Sequence, residues 1–327
     1  MNLPHLGRRR ALQSVLAAAA ALALLLWWLL PSRGPSYPHE PVSFSTGVAA
    51  GVYETYGKML KSDLREQLPG VTVNLVQSHG SVDNVKRVAS GRADFTIAAA
   101  DAVANYQGPG KDRLRACARL YDDYMQLIVP KNSAIASARD LRGKRVGVGQ
   151  ADSGVNLITR RLLAAAGVDM AKDLTAVPVG IDTAPALLKA GKLDAFFWSG
   201  GLPTTTVTDL ANSSNVKLVQ LGDLVDKLHA MGDPMGYYRE AVMPADAYPT
   251  MQHGLSVKTI AVANLLVTTD RADTGLVERL TRAVIDSRDR IGSKVHAAQL
   301  VDLRTAVFTD PLPLHEGARR YYRSVKS

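Results

Sequence analysis

The chain of 327 residues has a single cysteine, Cys117. That excludes an intramolecular disulfide and any cysteine-based metal site. Stability has to come from burial, and the chain is long enough for two domains of ordinary size. Cys117 is expected to be a small buried hydrophobe. The common catalytic patterns are missing too. There is no Gly-x-Ser-x-Gly elbow, HExxH, Walker loop or metal-spaced His/Cys cluster, and the seven histidines are scattered. The sequence therefore reads as a non-enzyme, with no catalytic residue, metal or cofactor assigned. Asp101 and Asp152 imitate an acid/base pair, but Asp101 is expected to cap or orient its loop. No acidic residue precedes position 36, whereas Arg8, Arg9, Arg10 and Arg33 do, so +4 of the net charge of +9 lies there and +5 in the remainder. That remainder has no Lys/Arg run resembling a nucleic-acid arm or patch, so nucleic acid is not an expected partner. Its mild basic excess suits an anionic small ligand.

The arginines introduce an apolar run from Ala11 to Leu30 that ends in Trp27-Trp28-Leu29-Leu30. At about 20 residues it is long enough to span a bilayer. The arginines would stay cytoplasmic and the Trp pair would sit at the far interface. The small residues suited to cleavage, Ala19, Ala21 and Ala23, lie inside the run rather than after it. Residues 1–35 are expected to be an uncleaved signal anchor, with a removed signal peptide as the alternative; Arg8-Arg9 also permits a twin-arginine reading. No cysteine lies nearby, which excludes a lipoprotein anchor. Pro31 to Pro41, with four prolines, forms a spacer.

What is present is a repeated α/β pattern. Val42–Phe44 reads as a short strand, Ser45–Gly51 as a Gly-bearing loop, and Tyr53, Tyr56, Met59, Leu60 and Leu64 recur at helical spacing. A strand feeding a helix through glycine leaves N–H groups free at the helix start, which favours an anionic or polar ligand. Val71–Val76 follows as a strand, and Gln77–Ser81 as a second polar loop in which Ser81 is the expected N-cap of a helix over 82–89. The run Ser90-Gly91-Arg92-Ala93-Asp94 leads into a strand over 95–98. Arg115–Leu120 and Met125–Val129 read as two further strands, and Pro130–Ser133 as a turn between domains. A second unit repeats the plan. Its strand is 146–149, its loop Gln150–Asn156, its helix runs to about Ala166 with Gly167 after it, and a strand over 174–179 and a short helix follow. Gly191-Lys192-Leu193-Asp194 then enters the strand 195–198. Glycine ends a helix and aspartate marks the entry to a buried parallel strand in both units. Two similar units argue for two lobes and a cleft, with ligand beyond the C-terminal strand ends. A single-loop dinucleotide site drops out, because each unit has its own loop. Further on, Ala261–Val267 reads as a strand, Leu276 to about Arg290 as an amphipathic helix, and Leu312–Ser327 as a helical tail in which Tyr321 and Tyr322 pack.

From these loops the expected ligand site follows. Backbone N–H groups at Thr46–Gly47, Gly80–Ser81 and Ser153–Val155 would hold a carboxylate. The hydroxyls of Thr46, Ser78, Ser81 and Ser153 and the amide of Gln126 would orient it, with Tyr53 or Trp198 as an apolar wall. Val48, Asp101, Gly154, Val155, Asn156 and Gly200 complete the set. His79 lies in a site loop, with a packing role as the alternative.

Several ordered pieces resemble a known family. They are Ser45-Thr46-Gly47 with Gly51-Val52-Tyr53 and Gly57, then Gly80-Ser81-Val82-Asp83-Asn84, Ser90–Phe95 with Asp101, and Tyr124-Met125-Gln126-Leu127. Asp140–Val146, Asp152-Ser153-Gly154, Gly191–Phe197, Gly200–Thr204, Leu312–Ala318 and Tyr321-Tyr322 continue the series. Over about residues 42–325 the chain resembles the TAXI-type solute-binding proteins of tripartite ATP-independent periplasmic (TRAP) transporters. The resemblance implies an α/β, two-lobed periplasmic binding protein of type II-like architecture, closing on a small organic acid or amino acid such as glutamate or 2-oxoglutarate. It implies TRAP permease membrane subunits as partners and a periplasmic location, anchored to the inner membrane if residues 11–30 are retained. Lobe 1 is expected over 36–130 and 246–327, lobe 2 over 131–245. The sequence departs from relatives at Val48-Ala49-Ala50, where they often have more glycine and polar residues, and at Glu54-Thr55, where they often have Tyr-Pro. A membrane-tethered ligand sensor on the same fold is the alternative function.

Overall fold

The computed structural model describes residues 20–21, 41–232 and 235–326. Contacts divide the chain into a unit of residues 1–38 and a unit of residues 39–327. Of the first unit only Ala20 and Ala21 are described, both helical. The expected anchor over 11–30 thus lies outside the described residues apart from these two. Among the described residues no helix is long and apolar enough to cross a membrane.

The second unit begins with β1 (Val42–Ser45), α1 (Val52–Gln67), β2 (Val73–Val76), α2 (Ser81–Ala89), β3 (Phe95–Ala99), α3 (Ala100–Asn105) and β4 (Leu114–Pro130). It continues with β5 (Arg145–Gly147), α4 (Gly154–Ala165), β6 (Thr175–Val177), α5 (Ala184–Lys189), β7 (Ala195–Gly200), α6 (Thr205–Ser213), β8 (Val216–Val219) and α7 (Val225–His229). The return comprises β9 (Arg239–Met243), α8 (Pro249–Gln252), β10 (Val257–Thr269), α9 (Thr274–Asp286), α10 (Arg288–Gly292) and α11 (Glu316–Ser324). The strands form one sheet in the order β2-β1-β3-β10-β4-β7-β5-β6, with β8 on β4 and β9 on β10. Strands β1, β2 and β3 are mutually parallel, as are β5, β6 and β7. β3 is buried along its whole length, which explains its unbroken apolar reading.

The internal repeat is visible atom by atom. Ser43 N–H donates to the Asp94 carboxylate at 2.7 Å, and Asp94 N–H returns to Ser43 O at 3.1 Å. Arg145 N–H donates to the Asp194 carboxylate at 2.8 Å, and Asp194 N–H returns to Arg145 O at 2.8 Å. Each aspartate therefore clamps the outer end of its unit's first strand to the third. Gly91 and Gly191 precede them with φ of 77° and 65°, a conformation that disfavours any side chain. Gly167 ends α4 in the same way at φ 72°, as its position predicts.

One expectation is corrected. The stretches 115–120 and 125–129 are not two strands but parts of β4, 17 residues long. Its pairing with β10 slips twice, between Ala263 and Leu265 and between Leu266 and Val267, and both times β4 carries the extra residue. These bulges interrupt the apolar alternation, so the sequence reads as a break. Beyond Tyr124 the strand leaves β10 and pairs with β7, and then with β8 on its other edge. The β10–β4 pair thus stands between the two sets of parallel strands, β10 against β3 and β4 against β7. β10 also changes partners along its length, pairing with β9 over 257–261 and with β4 and β3 beyond.

The core reflects the same continuity. Val85 and Val88 of α2 share a buried cluster with Ile158 and Leu162 of α4 and with Met125, Leu127 and Val129 of β4. A second cluster joins Phe44, Tyr56 and Leu60 to Val277, Leu280, Tyr321 and Tyr322 under α9 and α11. Tyr321 and Tyr322 pack as expected, with Tyr322 Oη donating to Cys117 O at 3.1 Å. Cys117 is fully buried.

Replacing Asp94 or Asp194 by alanine removes a strand clamp and leaves N–H groups without their acceptor. Each variant is expected to lose about 1–2 kcal/mol of stability, read as a lower urea midpoint with an unchanged m-value.

Candidate functional site

Three helices begin at the same opening. α1 starts after Gly51, α2 after Gly80 and α4 after Ser153. Their first turns, together with β4, β7 and β10, enclose a cavity of about 720 Å³, part of it open to solvent. Helix geometry leaves first-turn N–H groups, such as those of Gly154 and Val155, without intrahelical acceptors, and the aligned peptide dipoles make this end of the cavity favourable to negative charge. Ser153 caps α4 by accepting the Asn156 N–H at 3.0 Å.

The loops from the two halves meet. Asp83 N–H donates to Asp152 O at 3.0 Å, and Lys86 Nζ lies 2.8 Å from Asp152 Oδ1. A Cβ on Gly154 would stand 3.0 Å from Ser81 Oγ, so glycine is what allows this approach. Deeper in, Arg161 of α4 donates to Tyr238 Oη at 2.7 Å and to Asn105 Oδ1 at 2.9 Å, and lies 3.6 Å from Asp101 Oδ2. Tyr238 Oη donates to that same oxygen at 2.7 Å. Polar ties thus join the two halves at the rim and at the floor.

Ten of the fifteen residues expected at the site line the cavity: Gly47, Val48, Tyr53, Gly80, Ser81, Asp101, Ser153, Gly154, Val155 and Trp198. His79 joins them. The other five lie behind the wall, and their bonds say why. Thr46 uses its N–H on Val76 O, its hydroxyl on Glu54 and its carbonyl on Ser78 and Asn84. Ser78 Oγ donates to Thr46 O at 3.0 Å and accepts the Gly80 N–H at 3.0 Å, so it joins two loops. The Asn156 amide donates to Val148 O at 3.3 Å and braces the third loop. Gln126 is fully buried opposite Trp198 in the β4–β7 register, and Gly200 lies beneath the Trp198 indole. Trp198 Nε1 itself donates to Thr204 Oγ1 at 3.0 Å. Ser81 is not a side-chain cap: its Oγ accepts the Ala99 N–H at 3.1 Å, because the helix it begins packs against the end of β3. Asp152, the other half of the apparent acid/base pair, is at the rim with Lys86, at φ 60°.

Asp123, Gln150 and Asn264 were not singled out by the sequence. Asp123 follows the first β4 bulge, which turns it into the cavity while Asp122 pairs with Arg119 and Arg239 on the other face. Asn264 lies opposite that bulge, and its Oδ1 accepts the Tyr53 hydroxyl proton. Tyr53 Oη then accepts from Ser81 Oγ, 3.0 Å away. The available signal was a Tyr-Asp-Asp-Tyr break, 121–124, between two strand-like runs. Burial pushes the Asp123 carboxyl up to about 7; the adjacent Asn264 and Tyr53 oppose the rise and the nearby Asp122 and Asp101 add to it. Burial also raises Asp101, with Tyr238 and Arg161 opposing it. Among the described residues no lysine or arginine lines the cavity. Among the described residues no group of three or more His, Cys, Asp or Glu is placed to hold a metal.

A model of the NMT1-like family matches residues 44–325. Solved structures match as well. The periplasmic binding protein BugD aligns over 88% of this chain and 96% of its own, at 15% identity and a TM-score of 0.55. PhnD1 from Prochlorococcus marinus, solved in complex with methylphosphonate, aligns over 80% and 92%, at 15% identity and a TM-score of 0.54. A Bordetella bronchiseptica protein aligns over 88% and 91%, at 18% identity and a TM-score of 0.52. At these identities the likeness is one of fold, and the chain has the α/β, two-lobed fold of periplasmic binding proteins.

The raised Asp123 carboxyl sets a pH dependence. Its folded pKa lies above its unfolded value, so the native state binds more protons between about pH 4 and 7, and stability is lost as pH rises through that window. Asp123→Asn is expected to raise the Tm of the empty protein at pH 8. The gain should shrink steadily and vanish near pH 4, as followed by thermal melts across pH.

Proposed function

The chain belongs to the NMT1-like family, and on that premise we propose that it is an extracytoplasmic solute-binding protein. It captures a small organic anion, an acidic amino acid or a dicarboxylate such as glutamate or 2-oxoglutarate, by closure of two lobes. The observation that carries this reading is the meeting of helix N-termini from both halves over one cavity, with Gly80, Ser81, Ser153 and Gly154 in direct apposition. A carboxylate there accepts N–H groups from both halves at once, so it favours the closed form over the open one. The volume is of the order usual for small-molecule sites. No bond is broken in this scheme, and no side chain is assigned a catalytic role.

The finer reading follows the TAXI resemblance. The closed, loaded protein docks on the membrane subunits of a TRAP permease in the periplasm and releases its solute there. Lobe 1 is taken as 36–130 with 246–327, lobe 2 as 131–245. The apolar run over 11–30 either tethers the protein to the inner membrane or is removed on export.

Titration of the purified protein with amino acids, mono- and dicarboxylates by calorimetry and thermal shift tests the reading. At least one should bind with a rise in Tm, and silence across the panel would sink it. Gly154→Val is expected to wedge Ser81 and Gly154 apart and weaken that binding by roughly tenfold or more, while the Tm of the empty protein changes by only a few degrees.

A further inference from the structure

Helix N-termini account for an anionic group at one end of the cavity and leave the other end unexplained. Asp123 Oδ1, Asp101 Oδ1 and Gln150 Oε1 are each shut off from solvent without a hydrogen-bond donor, and all three side chains line the cavity. Buried acceptors in this state are destabilising and rare. Apart from the Asn264 amide beside Asp123, the side-chain donors around the two carboxyls are committed elsewhere. Tyr238 serves the second oxygen of Asp101, with Arg161 beside it, and the Tyr53 proton goes to Asn264 Oδ1. Asp101 is 1% exposed and Asp123 5%, so water screens neither. With no lysine or arginine in the lining, the empty site holds two carboxyl groups and no cation facing their free oxygens.

We propose that this floor receives the ammonium group of the solute, so that the ligand is a small amino-bearing acid with its carboxylate at the helix N-termini and its amine at Asp123 and Asp101. Asp101 lies close enough to Asp123 for its charge to raise that carboxyl. An ammonium brings N–H donors and one positive charge, which suits two orphaned carboxyl oxygens. Recognition then needs both ends. Amine-free acids such as 2-oxoglutarate leave the acceptors unsatisfied and place a second negative charge beside them. An inorganic cation fits less well. The Asn264 amide next to Asp123 turns its free Nδ2 donor there, and its Oδ1 is held by Tyr53. The charged and titratable groups facing Asp123 are Asp122, Asp101, Tyr53 and Tyr121. Burial keeps Asp123 partly protonated near neutral pH, so an arriving ammonium displaces a proton.

The inference rests on the solute-capture reading, and the test separates the two. Full-length protein is titrated with matched pairs that differ only in the amine: L-glutamate and glutarate, L-aspartate and succinate, L-leucine and 4-methylpentanoate. The amino-bearing member of a binding pair should bind tighter by roughly tenfold or more. Near pH 7 its binding should release protons, seen as a dependence of the calorimetric heat on the buffer's ionisation enthalpy. Asp123→Asn and Asp101→Asn should each erode that preference, weakening the amino acid and sparing or strengthening its amine-free partner. Thermal melts identify any variant that fails to fold, and the other then decides. Equal affinity within the pairs, or an undiminished preference in folded variants, overturns the inference and leaves solute capture standing. A Tm rise with sodium or potassium chloride alone, absent with choline chloride, overturns it in favour of a metal site. Silence across the panel removes both readings.

Discussion

The antiparallel pairing of β4 with β10 is the constraint on which the rest depends. Each strand carries one set of parallel strands on its outer edge: β10, with 13 residues, joins β3, and β4, with 17, joins β7. The two halves are therefore not beads on a linker; they share a continuous hydrogen-bonded spine. This pairing is irregular at two places, and both times β4 carries the extra residue. The bulge opposite Asn264 is followed by Asp123, which lines the cavity. Where the spine departs from ideal pairing and where the floor acquires its charge are thus one place in the chain.

Closure adds few strong interactions of its own, and that is consistent with a reversible clamp. The Lys86–Asp152 pair at the rim is exposed on both partners, so solvent screens it and its worth is of the order of 0–1 kcal/mol. The Asp101–Arg161–Tyr238 group is buried, but removing these charges from water offsets much of their attraction. Neither tie alone holds the lobes together strongly. A solute that satisfies acceptors on the floor and N–H groups at the roof contributes to the closed form only, and so shifts the population toward it.

Much of the architecture could be read from the sequence because it rests on local rules. Asp94 and Asp194 recur behind left-handed glycines because a helix must stop and a buried strand must start there, and both requirements are written in adjacent residues. The loops at Gly47, Gly80 and Ser153 were legible for the same reason, and ten expected residues reach the cavity wall. What local pattern could not distinguish is a polar group facing the ligand from one that builds the loop. Thr46, Ser78 and Asn156 have the right chemistry and spend it on backbone carbonyls and amides. Asp123 was invisible for the opposite reason. Its role depends on a register slip against β10, which lies about 140 residues further along the chain.

The floor also explains how a site can be acidic in a basic protein. The remainder beyond residue 35 carries +5, yet no lysine or arginine enters the cavity wall. Net charge acts at a distance and is screened within about a Debye length, so it steers an anion toward the opening without dictating the contacts inside. Inside, burial magnifies every charge, and the cavity wall holds both helix N-termini and carboxyls. A molecule with a single negative charge gains at the roof and loses at the floor. A zwitterion of the right length gains at both ends and brings no net charge into the interior, so its burial asks for the least compensation from the protein. On this argument the pairing of helix N-termini with buried carboxyls, more than the overall charge of the chain, selects the solute.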